Sequence, residues 1–335
     1  MSITLKHIAQ QLNVSVSTVS RALQNHPRIG LQTREVVQKL AKELDYQPNA
    51  TALSLKKQHT KTLGVIVPEL TLHFFSEILS GMDDTAFKAG YNLLITQSGE
   101  NFEREKQQIL NLSKANVDGI LVATSKQTAD YGYFHQLKSK GFPVVFFSRI
   151  HPDFPSVQSD DKGGAFLAVE HLIAKDCKNI AHIAGPWHLQ NTHHRVEGYI
   201  NGLKKHGKSL KTEYLVYTDL ERESNIEAIN KLLQVPAIPD AIFCFNDYVA
   251  YDIIQVLKEK NIKTGKDILI VGYGNQPIAM HMQPSLTTVD QQAYQIGQKS
   301  VEMMLGILDG DISQKNSLAS KLETKLIIRN STLLL

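Results

Sequence analysis

Residues 4–50, TLKHIAQQLNVSVSTVSRALQNHPRIGLQTREVVQKLAKELDYQPNA, divide into three short helical segments whose ends can be read residue by residue. Thr4 can cap a first helix in which Leu5, Ile8, Ala9 and Leu12 form one apolar stripe at i, i+3, i+4 and i+7. Asn13 then falls at a tight turn, where asparagine tolerates the left-handed backbone. Ser15 caps a second helix, Val16 to Gln24, with Val19, Ala22 and Leu23 facing inward and Val16, Ser17, Ser20 and Arg21 facing solvent. A third helix, from about Leu31 to Leu44, brings Val36, Val37, Leu40, Ala41 and Leu44 to close a small core. Two helices joined by a short turn, with small polar groups on the front of the second, form the layout of a helix-turn-helix. Serine and threonine there reach base edges or phosphates, and arginine can grip guanine or phosphate.

Charge supports the same reading. The first sixty residues hold eight lysines and arginines against three acids, whereas the other 275 hold 28 against 30. A basic head on a near-neutral body suits nucleic-acid binding, because cationic side chains release counterions from phosphates. The alternative for the head alone is a three-helix cap with incidental charge.

The signature Ala9, Val14, Ser15, Thr18, Val19, Ser20, Arg21, Thr33, Arg34, Tyr46, Pro48 and Asn49 resembles the DNA-binding head of the lactose-repressor (LacI/GalR) family. The resemblance continues to Arg329. Gln24 and Gly30 depart from the usual Asn and Ser/Thr, and glycine caps a helix only slightly worse than serine. The resemblance implies DNA contacts by Thr4, Val16, Ser17, Thr18, Ser20, Arg21, Arg28 and Arg34, and by Asn49, Ala52, Leu55 and Lys56 in the linker. Asn49 can cap one helical turn, Ala50 to Leu55, too short to persist alone. In the family Leu55 would wedge into the minor groove and kink the duplex; otherwise Leu53 and Leu55 pack on the body.

Outward from the head, residues 61 onward alternate apolar strands with amphipathic helices: LGVIVP (63–68), YNLLITQ (91–97), DGILVAT (118–124), PVVFFS (143–148), IAHIAG (180–185), AIFCF (241–245) and ILIVGY (268–273). Unbroken apolar runs indicate strands covered on both faces, hence parallel sheets between helix layers. The expected fold is an all-α helix-turn-helix head (1–48), a hinge (49–60), and an α/β core of two lobes, each with a mostly parallel sheet. The core resembles the periplasmic sugar-binding-protein fold that this family uses as its sensor. The lobes are expected at 61–158 with 290–320, and at 160–288 with 321–335, joined near 156–162, 286–292 and 318–325.

Ligands of open α/β sheets sit beyond the carboxyl ends of the strands. Asp160 ends one strand in VQSDDKGG, as a hydroxyl acceptor, the alternative being that Asp160 or Asp161 caps the following helix. Trp187, Asn191 and Arg195 share the segment GPWHLQNTHHR, where an indole can stack on a sugar and an arginine can fork between hydroxyls. The family has its effector-binding arginine at the position of Arg195. Trp187 can equally be core. Asn246 and Asp247 match the family's Asn-Asp pair, while Tyr273 is followed by Gly274 and Asn275 where relatives carry a carboxylate. Phe74 and Phe75 fall at the family's ligand-facing aromatic position. The missing carboxylate implies a ligand unlike simple hexosides.

Other classes lose ground. His182, His188, His193 and His194 lack metal-helix spacing, and Cys177 and Cys244 stand 67 positions apart, so neither metal, cofactor nor disulfide is expected. No P-loop, GxSxG or GxGxxG turn occurs, and no enzyme activity is expected. No secretory signal or long apolar run is read, so a cytoplasmic location without a membrane partner is expected. The sequence reading is a transcriptional repressor, a homodimer on a pseudo-palindromic operator because one head contacts too few bases, controlled allosterically by a small carbohydrate-like effector. The rivals are control by a partner protein and a pure sugar-binding protein.

Overall fold

The computed structural model describes residues 3–46, 60–313 and 319–333. The expected linker contacts Asn49, Ala52, Leu55 and Lys56 lie outside the described residues. The chain divides into two compact units, Met1–Thr60 and Lys61–Leu335.

In the first unit, α1 (Leu5–Gln11), α2 (Val16–Leu23) and α3 (Leu31–Glu43) enclose a core of Ile8, Ala9, Val19, Ala22, Val37 and Ala41. Ser15 caps α2 by accepting the Thr18 N–H at 3.1 Å, and Asn13 makes the preceding turn at φ 47°. One expectation fails: Val36 is 48% exposed. The inward stripe of α3 runs through Val37, Leu40, Ala41 and Leu44, and Val36, one position away, is turned off it.

Among the described residues the second unit holds two six-stranded sheets. The first has β1 (Thr62–Val67), β2 (Asn92–Gln97), β3 (Gly119–Val122), β4 (Val144–Phe147), β5 (Ser156–Ser159) and β11 (Ala319–Leu322), in the order β11-β5-β4-β3-β1-β2, all parallel. The second has β6 (Ile180–Ala184), β7 (Leu215–Tyr217), β8 (Ala241–Cys244), β9 (Leu269–Tyr273), β10 (Thr287–Asp290) and β12 (Lys325–Ile327), in the order β12-β10-β9-β8-β6-β7; only β12 runs antiparallel to its neighbour. The sheets follow one another by crossovers after β5, after β10 and between β11 and β12. β11 keeps to the first sheet as far as Leu322, past the lobe boundary of 320 expected from sequence.

Helices cover both faces, as the apolar strands require. On the first sheet α4 (His73–Lys88) lies against α11 (Ala293–Leu308). The two backbones nearly touch, since a Cβ at Gly297 would stand 2.0 Å from the Ile78 carbonyl oxygen and 2.8 Å from the Met82 nitrogen. Backbone cannot rotate aside as a side chain can. Gly297→Ala is therefore expected to destabilise the body by about 1–3 kcal/mol, read from the urea midpoint; an unshifted midpoint would contradict this packing.

Candidate functional site

The cleft at the carboxyl ends of the two sheets encloses about 470 Å³ and is lined from both lobes. Its walls carry two buried or half-buried ion pairs. From the first lobe, Arg149 forks onto Glu100 with both N···O distances at 2.8 Å and donates a further bond to the Thr124 carbonyl. Burial pushes the Glu100 carboxyl up, but the hydrogen bonds and charge of Arg149, with the Lys126 N–H, outweigh it and hold the carboxyl below its ordinary range.

The second pair joins α7 (Asp161–Ala174) to α8 (Gln190–Lys205). Arg195 donates from Nε and Nη2 to Asp161 Oδ1 at 2.9 and 2.7 Å, and from Nη1 to the Phe245 carbonyl at 2.6 Å. Its guanidinium lies over the Tyr273 ring at 3.7 Å and the Phe245 ring at 4.5 Å. Both side chains of the pair are buried, at 4% and 5% exposure. Among the described residues three of the five guanidinium N–H groups are engaged, and Arg195 lines the cleft.

Phe74, Phe75, Asn191, Arg195, Asn246 and Tyr273 all line the cleft. Asn246 caps α10 (Asp247–Glu259) by accepting the Val249 N–H at 2.9 Å while lining the cleft.

Four residues expected there are elsewhere. Asp160 is a helix cap: it accepts the Gly163 N–H at 3.1 Å and pairs with Lys321, and the next residue, Asp161, rotated about 100° further round the helix, is the acid of the cleft. Trp187 is 59% exposed and packs on His193 and edge-on against Tyr217 of the outermost strand, outside the cleft lining. Asp247 is fully buried behind the wall, accepting from Thr288 Oγ1 at 2.5 Å and from the Gln276 N–H at 2.7 Å. It thereby holds Gln276, whose side chain accepts from the Tyr248 hydroxyl on the cleft wall. Asn275 is spent on Asp290 and Arg329.

Gly274 does line the cleft, at φ 125°, a conformation that residues with a Cβ rarely adopt. A carboxylate side chain would need a different backbone there.

Sequence reasoning missed Asp161, Glu100, Lys126, Arg149, Tyr248, Tyr251, Gln276 and Gln291. Asn191 Oδ1 and the Tyr251 hydroxyl are buried without a hydrogen-bond partner among the described residues. Buried polar atoms are rarely left so, and a cleft that supplies orphaned groups beside forked cations suits a small polar ligand.

In the head, Val16, Ser17 and Arg21 are exposed on α2, and Thr18 and Ser20 are half-buried beside them. Arg28 is exposed, and Arg34 reaches the Asn25 carbonyl at 3.5 Å. Thr4 is exposed, with its N–H donating to His7 Nδ1 at 3.1 Å.

Residues 4–49 match the family model described as bacterial regulatory proteins of the lacI family, and residues 60–329 match that of periplasmic binding proteins and the sugar-binding domain of the LacI family. The chain belongs to the LacI family. Among its curated relatives, the transcriptional repressor CytR of Escherichia coli (strain K12) is 32% identical over 98% of this chain and 96% of its own. Catabolite control protein A of Priestia megaterium is 32% identical over 91% and 92%. Among solved structures, the Lac repressor dimer bound to operator and the anti-inducer ONPF matches with a TM-score of 0.86 at 26% identity, covering 99% of this chain and 100% of that one. A complex of the transcriptional regulator CelR with cellobiose matches with a TM-score of 0.73 at 26% identity, covering 98% and 99%. This LacI-family protein is thus a DNA-binding transcriptional regulator that pairs a helix-turn-helix head with a ligand-binding body. No helix among its described residues is long and apolar enough to cross a membrane.

Proposed function

We propose that this protein is a cytoplasmic, non-enzymatic repressor. It binds a pseudo-palindromic operator as a homodimer and answers to a carbohydrate or carbohydrate-containing effector in the cleft. The observation that carries the effector is the pairing of the Asp161–Arg195 and Glu100–Arg149 forks with the orphaned Asn191 and Tyr251 atoms. Forked cations and amides recognise hydroxyls, and Phe74 and Tyr248 offer apolar faces to a sugar ring.

Dimerisation is supported by an apolar surface on the first lobe. Leu94 and Ile95 of the edge strand β2 are each 41% exposed, and Phe87 near the end of α4 is 80% exposed. Exposed apolar edges are covered in stable proteins. The Lac repressor structure matched above is itself a dimer. Ligand would shift the equilibrium between lobe arrangements and so the disposition of the linker, with Asn49, Ala52, Leu55 and Lys56 completing the DNA contact.

Operator titration by fluorescence anisotropy, with and without a panel of sugars, nucleosides and sugar phosphates, tests the proposal. Arg21→Ala is expected to weaken specific binding by about 1–3 kcal/mol, because the exposed guanidinium sits on the front of the recognition helix. Unchanged affinity would remove Arg21 from the interface. A parent protein answering to no member of the panel would favour control by a partner protein.

A further inference from the structure

On the first lobe, away from the cleft lining, three side chains from two segments converge. His135 lies on α6 (Gly132–Ser139), and His151 and Asp153 lie on the connection between β4 and β5. Asp153 Oδ2 stands 3.6 Å from His135 Nε2 and 3.8 Å from His151 Nδ1, and the three ligand atoms all fall within 4.8 Å of one another. We infer that His135, His151 and Asp153 form a binding site for a divalent transition-metal ion of the zinc class, with a fourth position open to water.

The cluster is wider than an occupied site, with two short edges and a third, between the imidazoles, of at most 4.8 Å. An ion with bonds of about 2.1 Å places tetrahedral ligands about 3.4 Å apart, so two of the three edges need to close by only a few tenths of an ångström. Two imidazoles and one carboxylate make a donor set that zinc accepts and that calcium and magnesium, which favour oxygen ligands, do not.

The rings are also held in place. His151 packs on Tyr131 at 4.3 Å and on Phe154 at 5.6 Å, and His135 packs on Phe154 at 5.0 Å. Lys138 lies over the Phe154 ring and donates to the Asp153 carbonyl, which fixes the connection from its other side. The Asp153 N–H points to His151 Nδ1 at 3.3 Å, a long contact that a metal bond would replace. The His135 and Asp153 side chains are exposed, at 46% and 58%, so an ion can reach the cluster from solvent.

The connection also carries Arg149, two residues before His151 and on the cleft wall. Ordering of the connection by metal therefore acts close to the effector site without contributing an atom to it.

The test uses the untagged full-length protein, titrated with Zn²⁺ by calorimetry, with thermal unfolding recorded with added Zn²⁺ and with EDTA. One ion per chain is expected, with a raised melting temperature in Zn²⁺ and no uptake of Mg²⁺. His135→Ala and Asp153→Asn are each expected to weaken binding by at least about tenfold, while melting like the parent in EDTA. His188→Ala is expected to bind Zn²⁺ as the parent does. Uptake that survives the His135→Ala/Asp153→Asn double replacement, or no uptake at micromolar Zn²⁺ by the parent, would overturn the site. Operator binding in EDTA is expected to be intact in every variant, so failure of the metal site and failure of the repressor reading are separable.

Discussion

Replacing Arg195 by methionine is expected to lower the stability of the body by about 3–5 kcal/mol, because the change leaves Asp161 buried at 5% exposure without its cation. The double replacement Arg195→Met/Asp161→Leu is expected to recover most of that loss, since two apolar side chains of similar volume can stand where a buried ion pair stood. It is not expected to recover a response to ligand, because the guanidinium that lines the cleft is gone in both variants. Two readouts separate the roles. Urea unfolding follows the stability cycle, and operator titration follows the effector response. An Arg195→Met protein as stable as the parent would show that the pair is solvated and would undo the electrostatic account of the cleft.

The contrast between Asp160 and Asp161 shows how far the sequence could be read. The strand end and the following helix were legible from VQSDDKGG, and so was the competition between a cap and a ligand contact. Which acid took which task depended on the exact residue at which the helix begins. One residue of shift turns a side chain by about 100°. Glu100 and Arg149 left no local trace, because a pair 49 positions apart is created by the order of the strands and not by spacing. His135 and His151 escaped for the same reason.

Strands were legible where apolar runs made them so, as in β1, β4 and β9. β5 (SVQS) and β11 (ASKL) are short and half polar, and only their pairing with each other and with β4 identifies them. The head was legible in finer detail, because its caps and turns are local: Ser15 and Asn13 do in the structure what their chemistry dictates. Val36 was misassigned where two adjacent valines offered a choice of face.

The Asp247→Asn variant is expected to expose an acid sensitivity that the parent conceals. Burial is the main cause that raises the Asp247 carboxyl from 3.8 to about 6, although Thr288, the backbone N–H groups of Gln276 and Tyr273, and Arg329 pull it down. The folded state therefore binds a proton that the unfolded state does not between about pH 6 and 3.8, and stability gains about 3 kcal/mol as pH falls through that window. His182 acts in the opposite sense. It is fully buried, stacked on Phe243, with Nδ1 bonded to the Phe243 carbonyl and Nε2 without a partner among the described residues. Burial lowers its pKa from 6.5 to about 4, so the unfolded state takes up the proton first and about 3 kcal/mol is lost over nearly the same window. In the parent the two slopes nearly cancel. Asparagine can keep the Gln276 and Thr288 contacts of Asp247, its Oδ1 accepting the Gln276 N–H and its amide donating to a rotated Thr288 hydroxyl, but it cannot titrate. The variant is therefore expected to lose about 2 kcal/mol relative to the parent between pH 6.5 and pH 4, measured as the difference between their urea unfolding free energies at each pH. Parallel pH profiles for the two proteins would show that Asp247 keeps an ordinary pKa and that water reaches it behind the cleft wall.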